Sequence, residues 1–176
     1  MKNILVALIL IVGIVSVAFY SEQKKSADPV IVSKSMAQVA IVVKDIDAAR
    51  SAWAKLLGIQ VPEVSIAESN SARPTQYRGK PTDAKAKLAF VILENIQIEL
   101  IEPMGGKSTW QEYLDKHGEG IHHIAFQVKG IDGVEKRFEL QGDLMVQRGG
   151  WDGGAYSYID ASKNLGCILE LLENYN

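Results

Sequence analysis

The chain has 176 residues, 19 lysines and arginines against 21 aspartates and glutamates, a formal net charge of -2 and 47% hydrophobic residues. That is one globular domain's worth of chain, and its charge balance excludes both an acidic disordered tail and the basic footprint that grips nucleic acid. A single cysteine, Cys167, excludes an internal disulfide framework and a thiolate cluster, so any metal must be held by imidazole, carboxylate or amide.

The first element is apolar. Residues 1–20 carry one charged side chain, Lys2, and run without polar interruption from Ile4 to Tyr20 except for Ser16. Seventeen residues is the short edge of a membrane span, and Ser16-Val17-Ala18 offers a small-x-small cleavage site. A cleaved signal peptide and a retained membrane anchor both fit, and either sends the domain outside the cytoplasm, to a periplasmic, secreted or membrane-anchored location. No cysteine follows the run to take a lipid. Residues 21–35, with Pro29 and small polar side chains, read as a linker, and the folded domain is expected over 36–176.

Within that domain the sequence repeats. Gln38 opens QVAIVVKDID and His123 opens HIAFQVKGID, identical at five of ten positions. Each segment runs into an amphipathic helix, with Asp47 and Asp132 as expected N-caps, Gly58 and Gly142 as stops, and Trp53 and Phe138 at the same offset. Strand-like alternation follows over 87–94 and 95–101 in the first half, and over 144–148, 155–159 and 166–172 in the second. The connection from Val61 to Ala84, rich in Ser, Pro, Thr and Gly, is expected to be a loop over the mouth of a cleft. A short helix over 108–117 joins the halves, and Gly149 to Gly154 reads as a hairpin connection. Each half ends in an apolar strand carrying glutamates: Ile98-Glu99-Leu100-Ile101-Glu102 and Leu169-Glu170-Leu171-Leu172-Glu173. Two copies of one strand-helix-three-strand unit follow, over about 36–105 and 120–176.

A glutamate among aliphatics on a strand lines a polar pocket or faces water. The repeat changes the weighing, because pseudo-twofold packing makes Gln38 equivalent to His123 and Glu99 equivalent to Glu170, four metal-capable side chains in two related pairs. Adjacent strand residues face opposite ways, so His123 is expected to enter the cleft, with His122 at the surface or backing the ligand and His117 a solvated cap. Arg73, Arg78 and Lys80 in the long connection could meet an anionic substrate, although a solvated loop is the plainer reading.

With these residues in place the sequence resembles the vicinal oxygen chelate superfamily, which includes glyoxalase I, methylmalonyl-CoA epimerase, extradiol dioxygenases and bleomycin-resistance proteins. The most specific stretch, Ile98 to Pro103 followed by Tyr113 to Phe126, is similar to methylmalonyl-CoA epimerases, although those commonly have histidine at the position of Gln38. The resemblance implies an α+β fold in which two βαβββ modules form a curved, mostly antiparallel sheet around a metal cleft. It implies Gln38, Glu99, His123 and Glu170 as ligands of a divalent ion (Zn, Ni, Co, Mn or Fe), a set of three oxygen donors and one imidazole. The expected chemistry is that of a lyase, isomerase or epimerase: proton abstraction next to a carbonyl, with Glu170 the first choice as base and Glu99 the second, and with the enolate stabilised by the metal. A non-catalytic small-molecule binding module of the bleomycin-resistance type is the alternative. A ring-cleaving dioxygenase fits least, since it would need two histidines on the metal. The expected partners are a small-molecule substrate, the membrane through residues 4–20, and a second copy in a homodimer.

Overall fold

The computed structural model describes residues 28–175, so the apolar segment expected over residues 1–20 lies outside the described residues. In chain order the elements are β1 (Met36–Val42), α1 (Ile46–Leu57), β2 (Val64–Ala67), β3 (Gln76–Tyr77), β4 (Lys80–Pro81), β5 (Ala86–Ile92) and β6 (Gln97–Pro103), then α2 (Thr109–His117). The second half follows with β7 (Gly120–Gln127), α3 (Ile131–Glu139), β8 (Leu144–Trp151), β9 (Gly154–Asp160), α4 (Ser162–Leu165) and β10 (Ile168–Asn174). All strands join one sheet in the order β2-β5-β6-β1-β7-β10-β9-β8-β3-β4. Among the described residues only β1–β6 and β7–β10 pair in parallel, and the other pairings are antiparallel. This is the expected double βαβββ architecture, with the two modules meeting along β1 and β7.

The internal symmetry is written in the register. Gln38 lies opposite Ala125 and Ala40 opposite His123 across the antiparallel seam. Ala40 pairs with Glu99 in the first module, and Ala125 pairs with Glu170 in the second. The two seam strands, β1 and β7, thus each set an alanine two residues after the polar side chain, on the same face of the pleat. Both alanines are fully buried, and their small size leaves room for four polar side chains to converge.

The two faces of the sheet divide the core. On one face Ala40, Val42, Ile101 and Tyr158 pack with Trp110 of α2. On the other, α1 covers Ala89 and Leu100 through Ile46, Ala49 and Trp53, while α3 covers Ile159, Leu169 and Leu171 through Ile131, Val134 and Phe138. The chain joins the domain earlier than the sequence reading placed it. Val30 and Ile31 pack against the α3 cluster, and the Arg137 guanidinium donates to the carbonyls of Asp28 and Pro29.

Helix ends differ from the expected caps in a way that explains the second glutamate of each terminal strand. Asp45, not Asp47, caps α1, its side chain accepting from Ala48 N at 3.0 Å. Gly130, not Asp132, opens α3, and that helix ends at Leu140 before reaching Gly142. Glu102 accepts from Ile46 N at 2.8 Å, and Glu173 accepts from Gly130 N and from Ile131 N, the latter at 2.9 Å. Three residues along a strand reverses the face, so Glu99 and Glu170 point to one side while Glu102 and Glu173 satisfy helix N-termini on the other.

The long connection is more ordered than a loop. It contains β2 and a two-residue hairpin, β3–β4, that crosses to the far edge of the sheet and pairs with β8. Its turn needs positive φ at both central residues, which Arg78 (φ 49) and Gly79 (φ 73) supply. The arginine is held there by bonds from its guanidinium to Tyr77 Oη and the Glu112 carboxylate.

If the alanines set the room at the seam, Ala125→Leu overpacks it. We expect a loss of about 1–3 kcal/mol in chemical denaturation; an unchanged midpoint would show that the seam has spare volume.

Candidate metal centre

Four strands of one face bring Gln38 (β1), Glu99 (β6), His123 (β7) and Glu170 (β10) to one point, all four side chains buried. Ligand atoms of Glu99, His123 and Glu170 lie within 4.8 Å of one another. His123 Nε2 is 3.1 Å from Glu170 Oε2 and 3.5 Å from Glu99 Oε2. Gln38 Nε2 donates to both carboxylates, at 2.9 Å to Glu99 and 3.0 Å to Glu170. All four residues singled out in the sequence therefore converge, related in pairs by the repeat.

Two facing carboxylates taken out of water are costly unless cations or donors compensate them. Here one imidazole and one amide do so. Burial, and then the neighbouring Glu170 charge, raise the Glu99 pKa, with His123 pulling the other way. Burial works against a charged His123, but Glu170 and then Glu99 outweigh it and push its pKa up to about 9. The donor set fits a divalent cation on its own chemistry: two carboxylates supply the compensating charge, imidazole Nε2 faces them, and the Gln38 amide, turned by half a rotation, presents Oε1 to the same point.

Of the two places expected for His122, the surface and a position backing the ligand, the structure has the second. The β1–β7 register shifts between Ala40 and Ile41, a bulge that lets both histidines of the pair turn inward. His122 is buried with Nδ1 2.8 Å from His123 Nδ1, and its Nε2 has no partner among the described residues. Burial, and then the charge on His123, drive the His122 pKa down to about 3, so His122 is neutral and its Nδ1 accepts the proton that His123 Nδ1 donates. That bond directs His123 Nε2 toward the carboxylates. His117, as expected, is exposed in the last turn of α2.

Sequence reasoning missed Tyr158 and Trp110. The Tyr158 ring lies 4.7 Å from that of His123, and its hydroxyl accepts from Trp110 Nε1 at 3.0 Å. Tyr156 and Tyr158 at alternate positions of β9 were the available signal, since both had to share a face. The arginines considered for substrate binding are otherwise engaged. Arg73 and Arg148 converge on Asp132 and Glu135 of α3, Arg78 pairs with Glu112, and Lys80 is exposed. The first pair fastens the strap between β2 and β3 onto the second module, together with Asn70 Nδ2 donating to Asp152 Oδ1 at 2.9 Å.

Between strap and sheet lies a cavity of about 720 Å³, lined at its floor by Gln38, Glu99 and Glu170. A polar centre on the inner face of a double βαβββ sheet, open to such a cavity, was the arrangement expected of the superfamily that the sequence resembled. The sequence profile described as Glyoxalase/Bleomycin resistance protein/Dioxygenase superfamily matches residues 37–159. The chain belongs to this superfamily. Within the glyoxalase superfamily it is similar to an ethylmalonyl-CoA/methylmalonyl-CoA epimerase of Cereibacter sphaeroides, 28% identical over 141 residues that cover 76% of this chain and 92% of the relative. Its fold is that of the methylmalonyl-CoA epimerase of Mycobacterium tuberculosis (TM-score 0.57, 23% identity, 88% of this chain and 96% of that one). It is also that of a methylmalonyl-CoA epimerase in complex with methylmalonyl-CoA and NH4+ (TM-score 0.57, 22% identity, 80% and 94%).

A pH dependence follows for protein stripped of metal. The folded pKa of His123 lies above its ordinary value of 6.5, so the stability it contributes is complete below 6.5 and is lost as pH rises through about 9. The raised Glu99 pKa acts in the same direction, favouring the folded state at low pH. Thermal melts in chelator should show Tm falling across that window and a flatter profile in His123→Ala; an equal fall in the variant would assign the dependence elsewhere.

Proposed function

We propose that this chain is a metal-dependent isomerase or epimerase that moves a proton on the carbon next to a substrate carbonyl. The observation that carries this reading is the symmetric pair of buried carboxylates, Glu99 and Glu170, flanking His123 on the floor of a cavity large enough for a small molecule. The epimerase relatives support the same reaction class. Gln38, Glu99, His123 and Glu170 would hold the ion. When bound, a divalent metal supplies a Lewis acid for the carbonyl oxygen.

The residues do the rest. A carboxylate at this floor is desolvated, and burial raises the Glu99 pKa above its ordinary value, which makes it a stronger base than a solvated glutamate. Glu170 is the more closely engaged with His123, at 3.1 Å against 3.5 Å, which leaves Glu99 the freer of the two to act as base. The C–H pair moves into the adjoining C–C bond, and the carbonyl oxygen takes the negative charge. For epimerisation the symmetry-related Glu170 must start protonated and give its proton to the opposite face of the same carbon; one turnover then leaves Glu99 protonated and Glu170 ionised, and proton exchange with solvent restores the starting pair. Tyr158 and Trp110 wall the floor with apolar rings, limiting access of water to the carboxylates.

Elemental analysis of the purified chain should find near one divalent metal per chain, lost in His123→Ala and in Glu170→Ala. No metal in the wild-type chain after incubation with Zn, Ni, Co or Mn would overturn the reading and leave a non-catalytic binding module. His122 acts through His123, so His122→Phe should weaken metal binding about 10–100-fold by titration calorimetry. His122→Gln, which keeps an acceptor, should recover part of that loss; equal effects in both variants would reduce His122 to packing.

We also infer an extracytoplasmic or membrane-anchored location from the apolar run between Ile4 and Tyr20. Fractionation should place the protein with membranes or outside the cytoplasm; a cytosolic pool alone would contradict this.

A further inference from the structure

We propose that the substrate is an uncharged, polyhydroxylated carbonyl compound of the keto-sugar class, and that anionic thioesters are rejected; this rests on the proton-transfer reading above. The argument begins with charge. Among the described residues, the charged side chains lining the cavity are the carboxylates Glu99 and Glu170 at the floor and Glu68 and Asp152 near the strap. A divalent cation at the floor leaves that floor neutral rather than cationic, because two carboxylates face it. Glu68 is paired with Lys85 at 2.8 Å, which engages that lysine as well.

The guanidinium groups near the strap are aimed elsewhere. Arg73 donates to Asp132, Arg148 donates to Asp132 and Glu135, and Arg78 donates to Glu112 and Tyr77. Forked arginine donors are the usual means of holding phosphate or carboxylate, and here Arg73, Arg78 and Arg148 each pair with an acid of the protein itself, and none of the three lines the cavity. Among the described residues, a coenzyme A thioester, with its phosphates, would find no cationic side chain in this lining and would meet Asp152, whose carboxylate is bonded only to the neutral Asn70 amide; a like charge across an interface is a device for rejection.

What the cavity offers instead is neutral. Gln97, Gln127 and Asn174 stand at neighbouring strand ends of the lining, with Asn174 Nδ2 donating to Gln127 Oε1 at 3.2 Å. Amides of this kind both donate and accept, matching hydroxyl groups that do the same. Trp151, at the tip of the β8–β9 hairpin, lines the same cavity, 40% exposed. Its ring lies so close to Gly154 that a Cβ there would approach it to 2.1 Å. The missing side chain at Gly154 lets the ring pack against the hairpin backbone, where it offers a surface for the C–H face of a sugar, and the phenyl ring of Phe90 adds apolar surface to the same wall.

The test uses the full chain, purified in detergent and loaded with Zn, Co or Mn. Proton NMR in heavy water follows exchange of the C–H next to the carbonyl, comparing ketohexoses and keto-glycosides with methylmalonyl-CoA and the glutathione–methylglyoxal adduct. The expected result is metal-dependent exchange in a neutral compound, favoured in kcat/KM by about 100-fold or more over both anionic compounds, the discrimination that like-charge contacts commonly give. Faster exchange in an anionic compound would overturn the substrate assignment while leaving the proton-transfer reading intact. No exchange in any compound by metal-loaded protein would overturn both. Trp151→Ala should raise KM for the neutral substrate with kcat retained, and an unchanged KM would remove the stacking platform from the account.

Discussion

The constraint on which this fold turns is the burial of two facing carboxylates, Glu99 and Glu170, at the seam between its modules. Charge of one sign taken out of water must be met where it lies. Everything about the seam serves that need: His123 Nε2 and the Gln38 amide reach both acids, and Ala40 and Ala125 keep the pleat clear for them. A centre of this kind costs stability, and that cost is carried by three apolar clusters, one on the inner face and two beneath α1 and α3. Polar chemistry on one face and helix-covered packing on the other follow from the strict alternation of strand side chains.

Duplication explains why the arrangement is balanced. In each module an acid three residues further along the terminal strand crosses to the opposite face and satisfies a helix N-terminus, Glu102 at Ile46 and Glu173 at Ile131. The helices are thereby tied to the very strands that carry the buried acids. Symmetry is broken where a substrate must be chosen. The first module inserts a strap and the β3–β4 hairpin, which reach the outer edge of the second module and are fastened there by Arg73 and Asn70. The second module supplies the paired tyrosines of β9 and the hairpin bearing Trp151. The two halves thus share a common floor beneath walls of different origin.

The repeat made the floor legible in the sequence, because internal comparison assigns Gln38 to His123 and Glu99 to Glu170 without any knowledge of the fold. What escaped the sequence were features set by tertiary geometry. Asp47 and Asp132 look like caps, but the first turns begin earlier and a distant strand provides carboxylates for both. Strands β3 and β4 have two residues each, too short for alternation to register. The inward turn of His122 depends on a bulge at the seam, and a bulge leaves no periodic trace. Arg73 and Arg78 carry the charge expected of an anion site, yet their partners lie dozens of residues away in sequence.

The most direct test of the account is X-ray absorption at the metal edge of the Zn- or Co-loaded chain, in wild type and in His122→Gln. The account predicts a first shell with one imidazole and otherwise oxygen donors in both proteins, because His122 acts only through His123. A second imidazole in the wild-type shell, lost in the variant, would place His122 on the metal and contradict the symmetric four-residue centre.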